Sequence, residues 1–172
     1  MEIIIRAEGS LSPAEREFLR LQEHEAFASE ADSCFEWTAS THWRVILVED
    51  GQWVSFLGIV ERTVSVAGQP LQVAGIANVI TRPEWRRRGL ARAAMEAAAK
   101  LMRCRLCSEF GLLLCYHELV PYYTRLGWQE VAGPLAFQQS WGQATWPWGT
   151  MVLPIGDQPW PEGAIDLCGP PW

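Results

Sequence analysis

The sequence predicts an α/β (α+β) fold, a single domain on a mixed central sheet of about six to seven strands. Three observations carry that expectation. Turn signals at Asp50-Gly51 and at Ala67-Gly68-Gln69-Pro70 separate β-rich runs, which makes three consecutive antiparallel strands. An apolar strand ending at Thr81, an alanine-rich amphipathic helix and the apolar run 111–116 then follow in order. Strand, helix and buried strand imply a parallel pair joined by a right-handed crossover. The chain has 172 residues, 49% hydrophobic and 20% charged, enough for one full core.

Each element has a local reason. Glu2–Ala7 is a short β-branched strand, and Ser12-Pro13-Ala14-Glu15 is a capping box with proline at the first helical position. The helix that follows directs Phe18, either Leu19 or Leu21, and Phe27 toward a core. Residues 1–36 hold nine acids against three bases, a local charge of −6 that equals the net charge of the whole chain. That excess is either the attracting field for a cationic substrate or a solvated helix face. Residues 32–42 read as a loop. Trp43–Glu49, the run 53–66 and a strand from Leu71 form the antiparallel set. On the following helix, Leu90, Ala94, Ala97 and Leu101 share one face, and Arg92, Glu96, Lys100 and Arg103 the other.

The tail differs in composition. Residues 133–172 hold seven prolines and five tryptophans, and only 150–155 reads as a strand. Disordered tails are poor in aromatics, so this segment is expected to pack down, either as core cover or as a wall of the acceptor side.

No run approaches the ~20 apolar residues of a membrane span. The first ten residues, MEIIIRAEGS, lack a basic segment followed by a long apolar one, so no signal peptide is expected. Five cysteines, with Cys104-x-x-Cys107 followed by Cys115 and His117, converge too little for a zinc or redox site. Reduced, buried thiols in a cytoplasmic protein are expected.

The chemistry concentrates in 73–102, where the apolar strand meets the alanine-rich helix through Pro83 and Arg86-Arg87-Arg88-Gly89-Leu90-Ala91. A helix N-terminus presents unpaired N–H groups and a partial positive charge, and glycine lets a ligand approach the backbone. The junction is a cradle for an anion, most plausibly a phosphate. Eight of the 14 Lys and Arg residues fall within 82–105 of a chain with net charge −6. A basic island in an acidic protein points to a local polyanion rather than to nucleic acid. The bland reading is a solvated helix face, to which the Glu96–Lys100 pair belongs.

Placed after a strand and before a helix, Arg86-x-x-Gly89-x-Ala91 resembles the Gln/Arg-x-x-Gly-x-Gly/Ala signature of the GCN5-related N-acetyltransferases. Pro121-Tyr122-Tyr123-Thr124-Arg125-Leu126-Gly127-Trp128 is similar to that family's tyrosine-x-x-x-glycine-aromatic helix. The resemblance spans roughly 44–153. It implies a single GNAT-like domain over 1–172 with helices on both sheet faces, acetyl-CoA as co-substrate, and no metal. Arg86, Arg87, Arg88, Gly89, Leu90 and Ala91 would then hold the pyrophosphate. Backbone groups of Val79, Ile80 and Thr81 would take the pantetheine arm like an added strand, with an N–H near Val79 polarising the thioester carbonyl.

Direct acetyl transfer to an amine needs no covalent intermediate, so no cysteine is required as nucleophile. Tyr123, five residues before Trp128, stands where the family's catalytic tyrosine stands. A phenol of pKa about 10 suits a thiolate leaving group, while Tyr122, about 100° away on a helix, reads as a packing residue. The base stays open: Ala77 and Asn78 cannot serve, which leaves Glu118, His117 or a water chain. The ending Met151-Val152-Leu153-Pro154-Ile155, then Asp166-Leu167-Cys168 and Trp172, resembles the aminoglycoside 2′-N-acetyltransferase branch. Ala26-Phe27-Ala28 and Trp85-Arg86 do too. That implies Glu30 and the Trp172 carboxylate as substrate-binding groups. Ala77 and Trp146-Pro147-Trp148 depart from the acids of that branch. The expected partner is a small-molecule amine, with no nucleic acid or membrane, and a homodimer stays open. The competing expectations are a non-catalytic acyl-CoA-binding or sensing domain, and a nucleic-acid module opposed by the acidic remainder.

Overall fold

The chain starts as a sheet edge. In the computed structural model, which describes residues 1–27 and 35–172, β1 (Glu2–Ala7) pairs antiparallel with β2 (Trp43–Glu49) from Glu2↔Val48 to Ala7↔Trp43. Between them runs α1 (Pro13–Ala26), started by the capping box. Ser12 Oγ accepts from the Glu15 amide at 3.3 Å, and Glu15 Oε2 accepts from the Ser12 amide at 2.7 Å. The buried leucine is Leu19, while Leu21 is 52% exposed. Leu19 packs with Leu11, Ile46, Phe56 and Ile80, and Phe18 and Phe27 lie partly buried against this cluster.

Much of the acidic excess of the first third is spent on this packing. Arg44 of β2 is buried and donates to Glu8 and to Glu23, each at 2.6 Å. Burial works against the guanidinium charge, but Glu23 and Glu8 outweigh it and its pKa lies above the ordinary value. Glu15 pairs with Arg6, and Glu17 with Arg20.

Strands β3 (Gln52–Val66) and β4 (Gln69–Thr81) complete the antiparallel set. Both hairpin turns place two residues at positive φ, Asp50 (49°) with Gly51 (73°) and Ala67 (50°) with Gly68 (80°), as a two-residue turn of matching twist requires. Gly58 pairs with Ala77 but Phe56 pairs with Ile80, so Asn78 and Val79 stand opposite Leu57 alone. This is a bulge, with Asn78 at φ 50°.

Helix α2 (Leu90–Arg105) crosses to β5 (Phe110–Cys115), which pairs parallel with β4 from Val73↔Phe110 to Ile76↔Leu113. The buried stripe of α2 is Leu90, Ala94, Met95, Ala98, Leu101 and Met102. Ala97 lies half-buried against the same cluster, and Met95, Ala98 and Met102 widen the stripe. Helix α3 (Val120–Thr124) follows, then β6 (Gln129–Glu130), β7 (Leu135–Gln139), β8 (Gly142–Trp146), β9 (Gly149–Pro154) and β10 (Ile165–Asp166).

Among the described residues one mixed sheet holds ten strands in the order β6-β9-β5-β4-β3-β10-β7-β8, with β2 on β3 and β1 on β2. The four strands beyond the expected count are β6, β7, β8 and β10. Their short alternating patterns, such as buried Leu135 and Phe137 around half-exposed Ala136, are masked by the surrounding prolines. The faces are covered differently. Helices α2 and α3 pack on one side, with Met95, Met102, Tyr123 and Trp128 in a single cluster. On the other lie α1 and the tail, whose Leu135, Phe137, Trp146, Ile165, Leu167 and Trp172 join Val60, Val73, Phe110 and Leu112.

The cysteines correct one expectation. Cys115 is buried, but Cys104, Cys107 and Cys168 are exposed, because Cys104 lies on the outer face of α2 and the others on connections. Among the described residues no group of three or more His, Cys, Asp or Glu could hold a metal ion, and no helix is long and apolar enough to cross a membrane.

Candidate active site

The site begins where two neighbouring strands part. Ile76↔Leu113 is the final pair between β4 and β5. Beyond it β4 stays on β3 as far as Thr81↔Ser55, while β5 stays on β9 as far as Cys115↔Gly149. Residues 77–81 therefore turn one backbone edge to a gap at the carboxyl ends of parallel strands, where ligands of open sheets bind. The buried Ser55 hydroxyl donates to the Ile80 carbonyl at 2.9 Å and lies 2.8 Å from Thr81 Oγ1, which holds the end of β4 in place.

From Thr81 the chain enters a 3-10 turn, Pro83–Trp85, and then the arginine loop. Arg86 is extended, Arg87 has φ 61°, and Gly89 caps α2 at φ 77° with no side-chain hydrogen bond to the first turn. The helix start has no side-chain cap, so its first N–H groups are left for a ligand. A Cβ on Gly89 would meet nothing within 4 Å, so the backbone conformation alone demands glycine. The Arg86 Nε donates to the Thr81 carbonyl at 3.0 Å and ties the loop to the strand.

These elements surround one cleft of about 510 Å³. Of the residues singled out from sequence, Val79, Ile80, Thr81, Arg86, Arg87, Gly89, Leu90 and Ala91 line it, joined by Arg92, Tyr122 and the end of α1 at Ala26 and Phe27. Arg88 does not: its guanidinium lies 4.6 Å from the centroid of Trp85. The cleft is thus a strand edge that runs into a helix start, with Arg86, Arg87 and Arg92 on its wall.

The two tyrosines of α3 take different places. Tyr123 is 7% exposed within the core cluster of α2. Burial, with Cys115 and Tyr122 nearby, pushes its phenol well above the usual range, so it stays protonated. Burial likewise raises the Cys115 thiol to about 11, with Glu130 adding to it. Tyr122 lines the cleft, and its hydroxyl is buried without a hydrogen-bond partner. Its pKa is raised by burial, an effect that Arg92 and Arg125 oppose. Helical spacing separates the two side chains, as expected, but the one read as packing is the one on the cleft wall.

The remaining candidates lie elsewhere. Trp172 is 6% exposed and covers Gly75 of β4, where a Cβ would come within 2.2 Å of its ring. Arg62 stacks 5.0 Å from that ring and donates to the Pro170 carbonyl at 2.6 Å. Glu30 and Ala28 lie outside the described residues. Ala77 is buried, and His117 and Glu118 are exposed on a 3-10 turn after β5. The cleft contributions of Phe27 and Arg92 had a faint signal in sequence, an aromatic at the end of α1 and a basic residue in the first turn of α2.

Comparison with known proteins adds the following. Residues 14–131 match the family described as "Acetyltransferase (GNAT) domain". An acyl-CoA N-acyltransferase from Pseudomonas aeruginosa superposes with a TM-score of 0.62 at 18% identity, covering 88% of this chain and 98% of that one. The GNAT family N-acetyltransferase YhbS from Escherichia coli, solved with CoA, gives 0.61 at 17% identity over 98% of this chain and 91% of its own. A GNAT family acetyltransferase from Brucella melitensis, solved with acetyl-CoA, gives 0.62 at 19% identity over 95% and 94%. At these identities the likeness shows the fold. No curated protein matches the chain.

Proposed function

The chain belongs to the GNAT acetyltransferase family, and from that premise we propose that it is an acetyl-CoA-dependent N-acetyltransferase acting on a primary amine of a small molecule. The observation that carries the proposal is the continuity of the β4 edge at Val79–Thr81, without a partner strand among the described residues, with the uncapped start of α2 at Gly89. A diphosphate attached to an amide-bearing arm matches that continuity, and two of the similar structures hold CoA or acetyl-CoA. When bound, acetyl-CoA supplies an activated acyl group as a thioester.

The protein's part is to bind, orient and manage protons. Arg86 and Arg87, with the amides of Gly89, Leu90 and Ala91, offset the charge of the diphosphate. The free edge at Val79, Ile80 and Thr81 orients the arm by backbone hydrogen bonds, and the bulge at Asn78 turns the Val79 amide toward the gap as the donor to the acyl oxygen. Tyr123, kept protonated by burial, donates to the departing sulfur. The same burial that weakens the phenol as an acid strengthens a thiolate as a base, as the raised Cys115 thiol beside it illustrates. The amine gives up its proton through Glu118, His117 or water.

An aminoglycoside belongs among the candidate acceptors because of the ending that resembles its acetyltransferases. A second reading, a non-catalytic acyl-CoA-binding or sensing domain, is favoured by Ala77 and Asn78, which place no carboxylate at the bulge. A thiol-release assay with acetyl-CoA over an amine panel, paired with calorimetry of CoA, separates the two. Turnover supports the transferase, and binding without thiol release supports the sensor.

A further inference from the structure

Resting on the acetyl-transfer reading, a set of aromatic rings at the gap bears on which amine is accepted. Tyr116 packs edge-on against Trp148 at 4.8 Å, and Trp148 against Trp146 at 4.8 Å and Phe35 at 6.3 Å. Trp146 also meets Trp37 at 5.6 Å. Tyr116 follows the last residue of β5, and Trp148 precedes Gly149, the partner of that residue on β9. Three positions past the last β4–β5 rung stand Val79 on one strand and Tyr116 on the other. By register Tyr116, with Trp148 packed on it, lies on the β5 side of the gap whose β4 side is the edge offered to the acyl arm. Trp146 anchors the set at 6% exposure, with its indole N–H donating to the Gly149 carbonyl at 3.0 Å, while Trp37 is 43% exposed and Tyr116, Trp148 and Phe35 are half-buried.

Charge points the same way. A sugar with several ammonium groups needs several unspent carboxylates. Among the described residues, several of those near the ring set and along α1 already have partners. Glu36 accepts from the Ser140 amide at 3.1 Å and hydroxyl at 2.9 Å, and Asp166 accepts from the Cys168 amide at 2.8 Å. Glu8 and Glu23 face Arg44, and Glu15 faces Arg6. What the gap offers instead is ring surface, which binds flat apolar bodies and tolerates one cation.

We propose that the acceptor is an arylalkylamine: a single primary amine on a short chain from an aromatic ring, the ring packed on Trp148 and Tyr116 and the amine directed into the gap beside Val79. The amine nitrogen forms the C–N bond as the C–S bond breaks. One proton passes from the amine to solvent and one from Tyr123 to the sulfur, Tyr123 then regains a proton from solvent, and the products are an N-arylalkyl acetamide and free CoA thiol.

The test compares kcat/KM of the full chain for 2-phenylethylamine, tryptamine, spermidine and kanamycin with saturating acetyl-CoA. The aryl amines are expected to exceed both polycations by about tenfold or more. Trp148→Ala should raise KM for tryptamine about tenfold and leave KM for acetyl-CoA unchanged, and Trp148→Phe should restore most of it. Calorimetric CoA binding by each variant guards against misfolding. Equal or better turnover of spermidine or kanamycin overturns this proposal and leaves the acetyl-transfer reading standing, as does a Trp148→Ala effect equal for every amine. No turnover of any amine while CoA still binds overturns both.

Discussion

Ile76 and Leu113 form the last rung between β4 and β5, and everything beyond that rung faces a gap. The two strands follow different neighbours there. Residues 77–81 keep their bonds to β3 through the bulge opposite Leu57, and β5 keeps its bonds to β9 through Cys115. Up to that rung each strand is paired on both edges, and beyond it, among the described residues, each keeps only the ladder on its far side. The cleft is therefore built into the pairing of the sheet rather than into a loop that folds over a ligand.

Arg87 and Arg88 are adjacent but should behave differently. Arg87→Ala removes a cation from the cleft wall and is expected to weaken CoA binding about tenfold, near 1.4 kcal/mol, with a smaller salt dependence. Arg88→Ala is expected to leave CoA binding within about twofold and to cost about 0.5–1 kcal/mol of stability through loss of the contact with Trp85. Calorimetry and urea unfolding of both variants measure this.

Tyr122 and Tyr123 separate in the same way. Tyr123→Phe should lower kcat by about 100-fold with KM for acetyl-CoA unchanged. Tyr122→Phe removes a buried hydroxyl without a partner, so the unliganded protein is expected to gain roughly 1 kcal/mol. If steady-state kinetics place the kcat loss on Tyr122→Phe instead, the proton donor is the cleft-wall tyrosine.

Gly75 tests the seating of the tail. A methyl group there would meet the Trp172 ring at 2.2 Å, so Gly75→Ala should cost about 1–3 kcal/mol by overpacking. Gly68→Ala, where no atom lies within 4 Å but φ is 80°, should cost about 1 kcal/mol. The difference in urea midpoints reads it directly.

Cys115 gives a pH dependence of definite sign. The fold raises its pKa from the ordinary 9.0 to about 11, so the folded state holds a proton that the unfolded chain releases. Its contribution is whole below about pH 9 and is lost as pH rises toward about 11. Urea midpoints across that range should fall, and Cys115→Ala should flatten this part of the profile. Iodoacetamide should label Cys104, Cys107 and Cys168 well before Cys115.

The antiparallel set, the capping box at Ser12 and the α2 crossover were legible because each depends on local pattern. Asp50-Gly51 demands its turn and Ser12-x-x-Glu15 its helix start, whatever the rest of the chain does. Strands β7, β8 and β10 were not: β7 and β8 form a short hairpin between Pro134 and Pro147, and β10 is held by Val66, Ser65 and Leu135, far apart in sequence. At the cleft, glycine and arginine marked the loop, yet which arginine turns inward depends on the ring of Trp85. That Tyr122 also lines the cleft depends in turn on how α3 sits against α2. The acids of 1–36 were countable, but Arg44 as the sink for two of them was a matter of packing.

The central claim is that the β4 edge and the start of α2 together hold acyl-CoA, and calorimetric titration of the full chain with CoA tests it most directly. The account predicts one CoA per chain, binding about tenfold weaker for Arg87→Ala and near wild-type for Arg88→Ala. Absence of binding by a folded wild-type protein, or binding untouched by Arg87→Ala and lost in Arg88→Ala, would contradict it.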